Sequence, residues 1–253
     1  MSVKVKRFDL LEGRAEFVDD WVAVEEPVVL YVNGERVAKF LSLPSQLEEL
    51  CVGWLLTQSL IDSVDEIESV EVKSGEVRIR CKRNICARLS KAGLVVDSAY
   101  GYEEGAHFRL DRAVAFVSSK YRVKAAEILS FLNVLNEKSR VFRVTGGTHS
   151  AAIFSNEELV SFAEDVGRHN AVDKAVGAAA IRGVDFSCSV LASTGRQPAN
   201  MVLKAARVGI PIVASISAPL HSGIIAAEKA GVTLVCFVRE KRMNVYTHHE
   251  RIE

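Results

Sequence analysis

Residues 164–174, EDVGRHNAVDK, crowd two acids, an arginine, a histidine, an asparagine, a further acid and a lysine into one turn and the start of a helix. Helical spacing puts His169 with Asp173, and Asn170 with Lys174, on shared faces, with Ala171, Val172, Ala175 and Val176 supplying apolar contacts between them. Glu164 and Asp165 suit the positive end of a helix dipole, and a solvated helix start needs no more than that. It does not need Arg168, His169 and Asn170 in succession, so the segment reads as a helix start facing a ligand. Three other turns carry similar residues: Thr145-Gly146-Gly147-Thr148-His149-Ser150, Ser193-Thr194-Gly195-Arg196, and Ser217-Ala218-Pro219 with the proline suited to a first helical position. Glycine lets the backbone approach a ligand, hydroxyls and free helix N–H groups favour an anion, and Arg168 and Arg196 can add bidentate contacts. One such turn is ordinary turn chemistry. Four together favour a phosphate-bearing ligand, although neither the Gly-x-Gly-x-x-Gly fingerprint nor a P-loop is present.

His149 and His169, with Glu164, Asp165 and Asp173 nearby, raise the question of a metal. The zinc-deaminase signature, His-x-Glu with a later Pro-Cys-x-x-Cys, is not met, because Ser150-Ala151 follows His149 and the chain has no Cys-x-x-Cys. Hydrogen-bonding roles for the two histidines fit better than zinc ligation. Of the five cysteines, Cys51, Cys188 and Cys236 sit in apolar stretches and read as small core residues. Cys86 differs: Lys82, Arg83 and Arg88 flank it in CKRNICAR, and nearby cations stabilise the thiolate that acts as nucleophile. An incidental loop cysteine, or a redox pair with Cys81, explains the same residues.

These groups need elements to hold them. The chain has 253 residues, 49% hydrophobic and 25% charged, enough for one large domain or one domain and a smaller module. Lys+Arg and Asp+Glu are both 32, so the net charge of zero gives no general attraction to nucleic acid or anionic lipid. MSVKVKRFDLLEGR lacks the apolar stretch of a secretory signal, no apolar run reaches membrane-span length, and the odd cysteine number argues against a disulfide framework; a reduced cytosolic setting is expected.

AEFVDDWVAV and PVVLYVNGERVAKFL predict strands, the second turning at Asn33-Gly34. Pro44-Ser45 predicts a helix start with Ser45 and Glu48 as a capping box, and IESVEV with EVRIR predicts a hairpin turned at Ser74-Gly75. This half is a small α+β module over residues 1–110, ending in a long aperiodic, cysteine-bearing stretch, 82–110. Helical spacing returns over 122–136. From about 140 the pattern is α/β: RVFRVTGG and ELVSFAEDVG as strands, RHNAVDKAVGAAAIRG as a helix stopped at Gly183, then alternating strands and helices to VTLVCFV. Ligands of such sheets sit outside the carboxyl ends of the strands, where the four turns fall.

TGGTHSAA, EDVGRHNAVDK, the STGR turn, MVLKAARVGIPIVASISAP and GVTLVCFVR…NVYTHHERI, in that order, resemble the FdhD family of formate dehydrogenase accessory sulfurtransferases, as does the early VEEPVVLYVNGERVAKFLSLPSQLEELCVGWLLTQSLI. The likeness covers most of residues 20–251 and is weakest at 82–140. It implies a three-layer, cytidine-deaminase-like α/β domain over 111–253 that works without zinc, and a cytoplasmic homodimer. It implies a sulfur carrier that takes persulfide sulfur from a cysteine desulfurase through Cys86. The sulfur then passes to the molybdenum or tungsten bis-molybdopterin guanine dinucleotide cofactor, bound as substrate, before that cofactor enters formate dehydrogenase. Thr145, Gly146, Gly147, Thr148, His149, Arg168, His169, Asn170, Asp173, Thr194, Gly195, Arg196 and Ser217 are its expected cofactor-binding residues, with Asn170 and Asp173 reading guanine or orienting neighbours. Two features depart from the family pattern: Arg83 stands where a first loop cysteine is common, and Asn200, near Pro198, where glutamate is common. A cofactor chaperone that moves no sulfur, and a nucleotide hydrolase or deaminase using His149 and Asp173, are the alternatives.

Overall fold

The computed structural model describes residues 1–83, 85, 96–98 (backbone) and 114–253. Cys86, the expected sulfur carrier, lies outside the described residues. Three sheets are present among the described residues.

The first is a hairpin of β1 (Ser2–Asp9) and β2 (Arg14–Trp21), which leaves Phe8, Leu10, Leu11, Phe17 and Trp21 exposed. The sequence reading missed β1, the partner of β2. The second has strand order β5-β6-β3-β4-β7, from β3 (Glu26–Val32), β4 (Glu35–Ser42), β5 (Ile67–Lys73), β6 (Glu76–Cys81) and β7 (Val96–Ser98). Both expected turns form: Asn33 and Gly34, and Ser74 and Gly75, all have positive φ, as primed hairpin turns require.

Helix α1 (Leu47–Thr57) covers this sheet with Leu50, Cys51, Trp54 and Leu55. Its start corrects an expectation. The N-cap is Gln46, in a left-handed conformation with no side-chain cap, so Ser45 and Glu48 form no capping box.

The larger sheet has six strands in the order β13-β12-β11-β10-β8-β9. They are β8 (His149–Ser155), β9 (Glu158–Asp165), β10 (Ser189–Ser193), β11 (Ile212–Ser215), β12 (Thr233–Arg239) and β13 (Arg242–Val245). Strands β10, β11 and β12 run parallel, whereas β8 is antiparallel to both β9 and β10. Alternation along β8 divides the core. Ala152 and Phe154 face helix α2 (Ala125–Lys138), and Ala151 and Ile153 face the opposite helical layer. That layer holds α4 (Arg168–Ile181), α5 (Ala199–Arg207) and α6 (His221–Ala230). Pro219 precedes the α6 N-cap, Leu220, instead of opening the helix.

The stretch 141–145, expected as a strand, is the short helix α3 (Arg140–Thr145). Glu164 decides this locally: its carboxylate accepts from the backbone N–H of Val141 (3.0 Å) and Phe142 (2.9 Å), capping the helix start. Gly146, at φ 65°, closes the other end. Among the described residues no helix is long and apolar enough to cross a membrane.

The two halves meet where α1 crosses α4. Gly53 and Gly177 face each other's helices so closely that a Cβ on Gly53 would overlap the Asp173 carbonyl, and one on Gly177 the Glu49 carbonyl. Ala180 of α4 belongs to the small sheet's core, while Ala171, Val172, Ala175, Val176 and Ala179 belong to the large one. One helix therefore serves the cores of both sheets. We expect Gly53→Ala and Gly177→Ala each to lower unfolding free energy by about 3 kcal/mol, since overpacking against backbone has no side chain to yield. The urea midpoint, read with an unchanged m-value, checks this.

Candidate functional site

The reversed direction of β8 has a direct effect on the site. His149 is its first residue and pairs with Asp165, the last of β9. The amino end of β8 thus shares one sheet edge with the carboxyl ends of β9, β10 and β11. The TGGTHS turn reaches that edge by preceding an antiparallel strand, not by following a parallel one.

The turns are tied to each other. Ser150 N donates to Thr194 Oγ1 (3.0 Å) and Thr194 N donates to Ser150 O (3.0 Å), while His149 Nδ1 lies 3.3 Å from Thr194 Oγ1. Gly195 N donates to Ser193 Oγ (3.1 Å), Ser215 Oγ donates to Gly195 O (2.8 Å), and Ser217 N donates to Ser215 Oγ (3.0 Å). Gln197 N donates to Ala218 O (3.0 Å), joining the last two turns. Arg168 lies across Gly195, where an added Cβ would stand only 2.9 Å from the Arg168 Cβ. Glycine is needed there so that the arginine can cross the turn.

The rim is electropositive. Arg168 and Arg196 act on each other with no carboxylate of the described residues between them, and burial together with Arg196 holds the Arg168 pKa below its usual range. Burial, then Arg168 and Arg196, depresses the pKa of His149. His169 is driven far down, first by burial and then by Lys204, Arg168 and His149. Both imidazoles are therefore neutral at pH 7, and an arriving anion meets fixed positive charge. Helix α4 points its N-terminus at the same rim with no side-chain cap and no acid in its first turn. Arg168 Nε, Gln197 Oε1 and Asn200 Oδ1 are buried without a hydrogen-bond partner among the described residues. Such groups are costly unless a ligand or solvent completes them.

Not every expected residue faces this edge. Asp173, which is 1% exposed, accepts from Lys204 Nζ on both oxygens (2.7 Å each) and from Thr57 Oγ1 (2.6 Å). Burial raises its pKa against the opposing pull of Lys204. Asn170 Nδ2 donates to Leu41 O (2.8 Å) and Asp165 Oδ1 (3.0 Å). Neither is placed to read a guanine, because the helical period turns both toward the small module. Thr145 Oγ1 donates to Val141 O (2.8 Å) and Thr148 Oγ1 to Glu164 (3.1 Å), so these hydroxyls hold α3 in place. Gly146 ends that helix, and a Cβ on Gly147 would stand 3.1 Å from the Ala23 Cβ.

The edge brings together His149, Arg168, His169, Thr194, Gly195, Arg196 and Ser217. The sequence reading missed Gln197. Its signal was a polar residue inside a tightly bonded turn, next to a proline.

The described cysteines are free. Burial raises the pKa of Cys51 and pushes the Cys236 thiol up to about 12; burial, then Glu66 and Glu68, raises Cys81. These three are poor nucleophiles at neutral pH. Among the described residues no three His, Cys, Asp or Glu side chains gather as a metal site.

Comparison with known proteins agrees with a full-length relationship. The model of the FdhD/NarQ family matches residues 23–253. A protein of Methanothermobacter thermautotrophicus named "Sulfur carrier protein FdhD" is 37% identical over 235 residues, 93% of this chain and 92% of its own. One of the same name from Saccharolobus solfataricus is 36% identical over 261 residues, covering all of both chains. A crystal structure of a candidate formate dehydrogenase accessory protein from Desulfotalea psychrophila superposes with a TM-score of 0.80 at 30% identity, covering 100% of this chain and 99% of that one.

The buried acid–base pair gives a test of the frame behind the rim. Asp173→Asn leaves the Lys204 charge buried without its anion and should cost about 3–5 kcal/mol. Adding Lys204→Met should recover most of the loss, measured by urea denaturation of the single and double variants.

Proposed function

Because the chain belongs to the FdhD/NarQ family, we propose that it is a cytoplasmic sulfur carrier. It takes sulfur from a cysteine desulfurase and passes it to a molybdenum or tungsten bis-molybdopterin guanine dinucleotide substrate destined for formate dehydrogenase. The relatives named above carry the sulfur-carrier name, and the accessory-protein relative points to formate dehydrogenase. The observation that carries the substrate half of the reading is the single edge where Arg168, Arg196 and the uncapped α4 N-terminus converge, with no carboxylate of the described residues between the arginines. A diphosphate-bearing nucleotide has the charge and the acceptor oxygens that these groups would satisfy.

In the transfer, the Cys86 thiolate attacks the outer sulfur of the donor's persulfide. A new S–S bond forms on Cys86, the donor's S–S bond breaks, and the donor cysteine leaves as thiolate. Lys82, Arg83 and Arg88 lie close in sequence and favour the thiolate form. Release of the carried sulfur as hydrosulfide takes a thiol reductant, which attacks the inner sulfur and forms a disulfide as hydrosulfide departs. Arg168 and Arg196 would bind the diphosphate, while neutral His149 and Gln197 would supply hydrogen bonds beside it. The larger domain would share its layering with cytidine deaminases, and the working form would be a homodimer. The hydrolase alternative loses its base, because both oxygens of Asp173 accept from Lys204.

Incubation with cysteine and a desulfurase, followed by peptide mass spectrometry, should show one added sulfur on Cys86. Cys86→Ala should abolish both the adduct and the restoration of formate dehydrogenase activity. A Cys86→Ala protein that restores full activity would rule out the carrier and leave a chaperone. Separately, Arg168→Ala should weaken binding of guanosine diphosphate about tenfold by calorimetry, as loss of a charge-assisted contact predicts.

A further inference from the structure

We propose that the buried Asp165–Lys174 pair is a positioning device: it fixes the Arg168 turn to the end of β4, so that the small sheet sets the shape of the anion-binding edge. The carboxylate of Asp165 is fully buried, and each of its oxygens has a separate task. Oδ1 accepts from Gly167 N (2.9 Å) and Asn170 Nδ2 (3.0 Å), which shapes the turn immediately around Arg168. Oδ2 accepts from Ser42 Oγ (2.6 Å) and Leu43 N (3.2 Å), which belong to the end of β4 and the residue after it. Lys174 Nζ, also fully buried, pairs with Oδ2 at 2.7 Å and donates to Leu43 O at 3.1 Å. Asn170 closes the circuit by donating to Leu41 O (2.8 Å).

Every bond in this circuit lies within residues 165–174 or joins them to residues 41–43. None goes to the remaining turns of the edge. The neighbouring Asp173–Lys204–Thr57 cluster has a different reach, joining α4 to α1 and α5 behind the turn. Arg168, in contrast, has no ion-pair partner among the described residues and lies across Gly195. Its direction is therefore inherited from the backbone on either side, and Asp165 grips that backbone through the Gly167 amide. A shift of β4 against the large sheet would carry the Gly167–Asn170 turn with it. Asp165 and Lys174 act through Arg168 and touch no ligand themselves.

A purely structural role would change stability and nothing else, so the test reads the position of Arg168 directly. The charges that act on His149 are Arg168 and then Arg196, with His169 neutral beside it. The paired substitution Asp165→Asn with Lys174→Met removes one charge of each sign. The two charges lie 2.7 Å apart and neither is among those that act on His149, so their joint loss leaves the imidazole with nearly cancelling direct effects. Departure of Arg168 would raise the imidazole pKa. We expect the His149 ring to titrate at higher pH in the double variant, followed by NMR, with melting checked in the same samples. An unchanged or lowered His149 titration in the folded variant overturns the proposal. Should the double variant not fold, Ser42→Ala removes one grip on Oδ2 without any change of charge, and the same upward or unmoved titration decides.

The binding arm rests on the anion reading given above. Guanosine diphosphate should bind the double variant about tenfold more weakly than the wild type, with Arg168→Ala as reference. Wild-type protein that does not bind guanosine diphosphate ends the anion reading but leaves the His149 titration to decide the positioning role.

Discussion

Two helices, α1 and α4, touch backbone to backbone, and most of the molecule's arrangement follows from that approach. Gly53 and Gly177 permit it, and any side chain at either position would meet a carbonyl of the other helix. Contact this close brings Thr57 and Leu43 of the small module within reach of Asp173 and Lys174 of the large one. Buried charges are tolerated there because each finds a countercharge and several hydrogen bonds; removing one member of such a pair is far worse than removing both. The crossing thus fixes an electrostatic seam as well as a packing seam.

That seam lies on the far side of the turns that form the candidate site. Helix α4 is polar on two sides. Asn170, Asp173 and Lys174 are used up in holding the small module, and Arg168 and His169 remain at the sheet edge. Opposite demands are met by one short stretch of sequence. Among the described residues, the anionic groups near the edge are spoken for: Glu164 caps α3, Asp165 holds the turn, and Asp173 neutralises Lys204. What is left is net positive, although the chain as a whole is neutral. Local assignment of carboxylates creates the field.

Much of this was legible in the residues. Asn33-Gly34 and Ser74-Gly75 could be read because left-handed turn geometry restricts which residues occupy it, and the alternating elements after 186 because parallel strands need long crossovers. The convergence of the turns could be read from their placement at element ends. The direction of β8 could not, since α3 looks like a strand to any local rule: RVFRVT alternates, and only the distant Glu164 carboxylate makes it helical. The split of EDVGRHNAVDK between ligand edge and seam was equally hidden. Spacing along a helix says which residues share a face, not which neighbour that face meets. Lys174 and Lys204 were passed over for a related reason, as lysines inside alanine-rich helices look solvated until the partner carboxylate is known. Cys51 and Cys236, by contrast, were read as core from apolar neighbours alone, and their burial agrees.

Helix α4 is buried from Asn170 through Ala180, on all sides and under both cores. An element without a solvent-facing side has no local opening available to it, so its amide protons can reach water only through collective separation of the two halves. Deuterium would enter this helix last, and the rate at which it entered would report how often the entire molecule comes apart.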